Sequence, residues 1–294
     1  MAQLTRIISA AESGRTVRSL LKNELSLSST CINRLKRVEQ GITVNGQRAF
    51  TSAVLSAGDI LTVELNAAER PTAIVPIDMP LDIVFEDEHL LIINKSAPLS
   101  VIPSSLAPGE PTLANALAHY LGADFTFHPV NRLDRGTTGL MTVAKSSFIH
   151  DHLQKNLHSG SFFRRYLAVC EGFPDPPEGE ITFSIARREG SAIARCVSPN
   201  GQSAHSVYRT LERTAHFSLM ELTPYTGRTH QLRVHMAAIG HPLVGDWLYG
   251  TENHALIARP ALHSAFLSVH HPVTGELIER SAPLPADMKR LLEL

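Results

Sequence analysis

The sequence predicts an α+β protein in two unequal parts, on three observations. Residues 14–66 hold two helical patterns followed by short strands with turn signals between them. Pro71, Pro76 and Pro80 then punctuate a stretch that can continue neither a helix nor a sheet. From Leu81 onward, helical segments mix with many short strands of alternating or wholly apolar pattern. The expected organisation is a small domain at 1–66, a linker at 67–80 and a larger domain at 81–294.

In the small domain, Val17, Leu20, Leu21 and Leu25 form one apolar helical face. Ser28 or Ser29 offers an N-cap for a second helix running to Val38 and closed by Gly41, with Ile32, Leu35 and Val38 inward and Arg34 and Arg37 on another face. The run 42–48 reads as a short strand with an Asn45-Gly46 turn, and Ala57-Gly58-Asp59 leads into an alternating strand from Ile60 to Leu65. In the large domain, strands at 83–85 and 90–93 flank a polar turn, and Pro111 opens a helix to Leu121. Leu140 to Ala144 is a short buried strand, Ser146 to His158 a helix ended by Gly160, and Phe162 to Cys170 a strand. Strands near 181–186, 204–211 and 216–223 follow, then a helix capped by Thr229 and running to Ile239, a strand at 262–266 and a short terminal helix.

Composition narrows the function classes. A hydrophobic content of 43% and a charged content of 19% describe an ordinary soluble globular chain, and no apolar run approaches a membrane span. The start lacks the charged and apolar regions of a secretory signal. Cys31, Cys170 and Cys196 are odd in number, far apart and without CxxC spacing, which points to free thiols in a reducing compartment, the cytoplasm. His230 and His235 lack the HExxH pattern, so no metal is expected, and nothing demands an oligomer, so a monomer is. The net charge of −1 gives no general attraction to polyanions, yet residues 1–66 carry eight Lys/Arg against five acids.

One stretch organises the rest. In Asn131-Arg132-Leu133-Asp134-Arg135-Gly136-Thr137-Thr138-Gly139-Leu140 a single carboxylate sits between two arginines, and two glycines permit close backbone approach. Spacing alone allows a surface turn with exposed ion pairs as readily as a site. On the helix after Thr229, Arg233 rides an otherwise apolar stripe, and a buried arginine requires a carboxylate partner.

The stretch 131–140, "FRRYLAV" at 163–169, "GRTHQLRVHMAAIGHPLVGDWLYG" at 227–250 and the closing run at 262–285 resemble, in order, the signature segments of the RluA-type pseudouridine synthases. Residues 14–66 resemble the S4 RNA-binding domain. The fold this implies is an S4-like helix-helix-β module, then a mixed, mostly antiparallel catalytic sheet with flanking helices. The resemblance implies isomerisation of a uridine in structured RNA, ribosomal or transfer, to pseudouridine without cofactor or metal. It places Asp134 at the catalytic aspartate, Arg233 at its paired arginine and Tyr166 at the tyrosine beside the base. Arg132 falls at the arginine that fills the gap left by the flipped base. Arg34, Lys36, Arg37 and Arg48 become backbone contacts that position RNA without specifying it.

That chemistry suits these residue types. An opposite charge beside a carboxylate favours its ionised form, and a cationic, water-poor pocket stabilises a departing uracil. Tyr166 is the nearest relay for the proton leaving C5. Asn131 stands where histidine is common in the family and Thr138 where serine is; both remain hydrogen-bonding groups. The run 94–100, Asn-Lys-Ser-Ala-Pro-Leu-Ser, departs further, since a proline is displaced and a glycine missing. Two other readings are an RNA-binding assembly factor with lost or secondary isomerase activity, and a base-removing glycosylase.

Overall fold

The computed structural model describes residues 3–25, 27–64, 74–105, 107–122, 125–157 and 161–294. Leu65, most of the expected linker (67–73), His158 and Gly160 lie outside these described residues. The first sheet comprises Gln3–Ile7 (β1), Ile42–Val44 (β2), Gln47–Arg48 (β3) and Ile60–Glu64 (β4), in the order β1-β4-β2-β3. Asn45 and Gly46 join β2 to β3 at φ 52° and 78°, the left-handed pair that a two-residue hairpin requires. Strand β1 had no counterpart in the sequence expectation; it is held by pairing with β4, Leu4 opposite Val63.

Helices Val17–Asn23 (α1) and Ser29–Leu35 (α2) are capped by Thr16 and Ser28, whose hydroxyls accept from the N–H of Ser19 and Cys31. The second helix stops at Leu35 and not at Val38. The chain doubles back so tightly that a Cβ on Gly41 would lie 2.2 Å from the Leu35 carbonyl oxygen. Lys36 and Arg37 therefore occupy the turn beyond the helix, and Arg37 does not share a helical face with Arg34.

The second sheet is built on Ile83–Glu86 (β5), Leu90–Lys95 (β6), His128–Pro129 (β7) and Thr138–Ala144 (β8), interleaved with helices Leu113–Leu121 (α3) and Ser147–Asn156 (α4). Helix α3 is capped by Thr112, so Pro111 precedes the helix and is not in its first turn. The chain continues through Phe162–Glu171 (β9), Glu178–Ile181 (β10), Ile185–Arg187 (β11), Arg195–Val197 (β12), Ser206–Arg213 (β13) and Phe217–Pro224 (β14). The expected strand at 181–186 is thus two strand ends in different sheets, because β11 leaves the main sheet to pair with β12. Helix Gln231–Ala238 (α5), strands Leu262–His270 (β15) and Leu277–Ser281 (β16), and helix Ala286–Leu292 (α6) complete the chain. His230, left-handed at φ 58°, takes the cap position of α5 in place of Thr229, and the Gln231 side chain accepts from Arg228 N–H and from the Thr226 hydroxyl.

The ten-stranded sheet runs β10-β13-β14-β9-β15-β8-β6-β5, with β16 on β15 and β7 on β8; among the described pairings only β15 with β8 is parallel. It is mixed and mostly antiparallel with flanking helices. Successive side chains of a strand point to opposite faces, and both faces are covered here. Leu90 and Ile92 pack with Phe148, Ile149 and Leu153 of α4, in an apolar cluster that continues into Leu21, Leu27 and Ile32 of the first module. Leu91 and Ile93 pack with Leu113 and Leu117 of α3 and Leu232 and Met236 of α5. Two-sided burial is why β6 reads as an unbroken apolar run.

The parallel join fixes where the loop before β8 emerges. Gly139 pairs with Ser264 at φ 107°, and a Cβ there would lie 2.3 Å from the Ser264 carbonyl oxygen. Gly139→Ala should cost upwards of about 2 kcal/mol in urea unfolding, with loss of activity, because both sterics and backbone conformation oppose it. Wild-type stability in that variant would show that the strands can part freely.

Candidate active site

The loop between β7 and β8 is pinned before it presents anything. Val130 N–H donates to the Thr142 carbonyl at 2.9 Å, and the buried Asn131 accepts from Thr142 N–H through Oδ1 at 2.8 Å. Gln154 of α4 donates to the Val130 carbonyl. Leu133 is buried in the cluster that holds Tyr166 and Leu232, and Thr137 N–H closes a turn onto the Asp134 carbonyl. Asn131 in place of histidine therefore serves as a strut.

Asp134 emerges from this loop with its side chain 29% exposed, against Arg233, 5% exposed on α5. Arg233 Nη1 donates to Asp134 Oδ2 at 3.3 Å, while Nε and Nη2 each donate at 2.7 Å to the two oxygens of Asp246. Asp246 is fully buried and also accepts from Leu248 and Tyr249 N–H. The guanidinium is clamped bidentately from behind and offers its remaining edge to Asp134. Burial alone would make Arg233 less basic, but Asp246, and after it Asp134, raise its pKa.

His230 stands beside this pair, its Nε2 3.9 Å from Asp134 Oδ2 and its Nδ1 2.7 Å from the Tyr249 hydroxyl. Burial lowers its pKa, against the opposing pull of Asp134. Tyr166 is buried in the wall, and desolvation pushes its hydroxyl pKa up, so it stays protonated. A cavity of about 500 Å³ opens over Asp134, Tyr166, His230 and Gln231. Asp134 is the sole acid among its described lining residues, which include Arg132, Arg135, Arg164 and Arg228. Arg132 is exposed and in no ion pair among the described residues, whereas Arg135 is paired with Glu110 at 3.2 Å.

The structure thus brings Asp134, Arg233, Tyr166 and Arg132 together. Arg34, Lys36, Arg37 and Arg48 lie apart on the first module, where Arg48 donates to the Lys36 carbonyl at 3.0 Å. Three residues escaped the sequence expectation. Asp246 is one, although it lies in the same quoted motif as Arg233. Arg164, 7% exposed, is a buried cation without a carboxylate partner among the described residues and faces the cavity beside Tyr166. Lys95, 1% exposed, donates at 2.8 Å to the carbonyls of Ser96 and Leu99 and at 3.4 Å to that of Arg135. It ties the departing run at 94–100 to the Asp134 loop, and Ser100 of that run, with Val101 just after it, lines the cavity.

A lone carboxylate backed by a buried arginine, in a cavity lined by Arg132, Arg135, Arg164 and Arg228, suits chemistry on an anionic ligand. Residues 89–238 match the family of RNA pseudouridylate synthases, and the chain belongs to it; its activity is an isomerisation. The chain is 39% identical over 272 residues to the uncharacterized RNA pseudouridine synthase YjbO of Bacillus subtilis (strain 168), covering 92% of this chain and 96% of that one. It is 39% identical over 249 residues to ribosomal large subunit pseudouridine synthase D of Escherichia coli (strain K12), covering 79% and 76%. The structure of human RNA pseudouridylate synthase domain containing 1 superposes with a TM-score of 0.58 at 27% identity, over 69% of this chain and 83% of that one.

Burial depresses the Lys95 ammonium to about 7 from 10.5, with Asp134 opposing. Above about pH 7 the unfolded chain retains a proton that the folded one releases, so this residue makes stability rise with pH from there up to its unfolded pKa. The difference in urea stability between wild type and Lys95→Met should therefore change in the wild type's favour from pH 7 to 9. A pH-independent difference would refute the assignment.

Proposed function

We propose that this chain converts a uridine within structured RNA to pseudouridine with Asp134 as the catalytic carboxylate. The observation that carries this reading is the isolation of Asp134, the one acid among the described lining residues of a cavity that also holds four arginines. Held by Arg233, the carboxylate attacks a sugar or base carbon or abstracts a sugar proton as the glycosidic bond breaks. Arg164 and the rest of the cationic lining stabilise the charge that develops on the released uracil. Arg132, exposed and without an ion-pair partner among the described residues, fills the stack the base leaves and offsets a few kcal/mol of unstacking. Tyr166, kept protonated by burial, serves as wall and hydrogen-bond donor better than as a base. The relatives named for the ribosomal large subunit make its RNA the first substrate to try. No described helix is long and apolar enough to cross a membrane, and the cytoplasm is the proposed compartment.

Incubation with large-subunit ribosomal RNA, followed by pseudouridine mapping, tests this. Asp134→Asn should retain RNA binding and lose activity by about three orders of magnitude or more. Full activity in that variant would exclude the mechanism, and normal biological rescue by an inactive one would favour the assembly-factor reading.

We further propose that the first module holds RNA by its backbone through Arg34, Lys36, Arg37 and Arg48, as its S4-like order suggests. Lys36, Arg37 and Arg48 are exposed, and the segment has the excess of positive charge this needs. Arg34→Glu with Arg37→Glu should weaken RNA binding and flatten its salt dependence by about one to two units of slope. An unchanged salt titration would remove the module from RNA recognition.

A further inference from the structure

A second hollow, of about 330 Å³, adjoins the cavity over Asp134, and Arg228 and Thr229 line both. Its other walls come from the β11–β12 ribbon and residues 200–202. Three arginines, Arg187, Arg195 and Arg228, line it, and none of its lining residues is acidic. None of the three is in an ion pair among the described residues.

Two features mark the hollow as built for an anion. Arg187 and Arg195 lie directly opposite each other in the antiparallel register, an arrangement that destabilises a ribbon when the charges are alike. A ribbon under no other demand would place an acid at one of those positions. Two of the three guanidiniums are also oriented in advance. Arg195 Nη1 donates to the carbonyls of Ile193 and Ala194, both at 3.2 Å, and Arg228 Nε donates to that of Ser203 at 2.9 Å. Each keeps further N–H groups for a ligand.

The wall is stiff and coupled to the first site. Ile185 and Gln202 exchange two backbone hydrogen bonds of 2.9 Å, and a Cβ on Gly201 would lie 2.5 Å from the Ile185 carbonyl carbon. Arg195 N–H donates at 2.8 Å to the Tyr249 hydroxyl, the group bonded to His230 beside Asp134.

We propose that this hollow is a phosphodiester subsite, holding the substrate strand immediately beside the uridine that enters the Asp134 cavity. The proposal rests on the RNA-isomerase reading for the identity of its ligand. A strand reaching the first cavity passes the shared Arg228–Thr229 wall, so an adjoining phosphate falls among guanidiniums whose donors match its oxygens.

The test uses the full chain and Arg187→Gln/Arg195→Gln, which leaves the shared wall intact and removes a like-charge pair, so its melting temperature should stay level or rise. Affinity for large-subunit RNA fragments should fall about tenfold or more, the slope of log Kd against log salt should drop by about one to two, and kcat at saturating RNA should stay within about threefold. Arg187→Lys/Arg195→Lys should restore most of the slope. Unchanged affinity and slope in the glutamine variant overturn the subsite. So does a thermal shift with inorganic phosphate that the glutamine variant loses while its RNA affinity is unchanged, which would make the hollow a free-anion site. RNA binding that depends on these arginines in a chain forming no pseudouridine would sink the isomerase reading and leave the subsite standing. Pseudouridine formed with no such dependence would do the reverse.

Discussion

A guanidinium 5% exposed to solvent is the constraint on which the rest of the site depends. Taking such an ion out of water costs several kcal/mol unless its donors are met by acceptors of opposite charge. Asp246 meets two of them bidentately, and its own burial is tolerated because the two amides of Leu248 and Tyr249 share the load. The remaining edge of Arg233 can be satisfied in only one direction, and Asp134 is there. The proposed catalytic carboxylate is therefore positioned by a second carboxylate that is fully buried and does not line the cavity.

The other half of the positioning is backbone. Strand β8 is buried on both faces, is joined in parallel to β15 where only glycine fits, and receives the Asn131 side chain as an acceptor. Lys95 fastens the neighbouring run to the same loop from beneath. Helix α4 adds a longer connection. Its Gln154 holds the Val130 carbonyl, its Asp151 accepts from Ser28 N–H at the cap of α2, and its Lys155 reaches the Lys22 carbonyl of α1. The apolar cluster running beneath it is continuous from the first module to the sheet. The first module is therefore packed against the same helix that steadies the Asp134 loop.

Much of this was legible in the sequence where the governing interaction is local. The cap at Ser28, the Asn45-Gly46 hairpin and the apolar run of β6 all follow from neighbours in the chain. Arg233 was legible for a different reason, since a cation on an apolar stripe demands a partner. That argument asks for one carboxylate and is silent on a second, so Asp246 stayed hidden although only thirteen positions separate it from Arg233. Strand β1 depends on β4, far away in sequence, and the early end of α2 depends on a backbone approach at Gly41 that no periodicity reveals. Lys95 satisfies its ammonium with carbonyls, and a carbonyl network leaves no trace in residue type.

The central claim, that a clamped Arg233 makes Asp134 competent, is tested most directly by removing the clamp without leaving a buried charge. In Arg233→Met/Asp246→Asn the buried pair is neutral, and the amide oxygen still accepts from Leu248 and Tyr249 N–H. Single-turnover kinetics on large-subunit ribosomal RNA, with near-ultraviolet dichroism to establish the fold, gives the answer. The expected result is a folded protein that binds RNA normally and turns over slower by about two orders of magnitude or more. A folded double variant with a rate within about twofold of wild type would contradict the account.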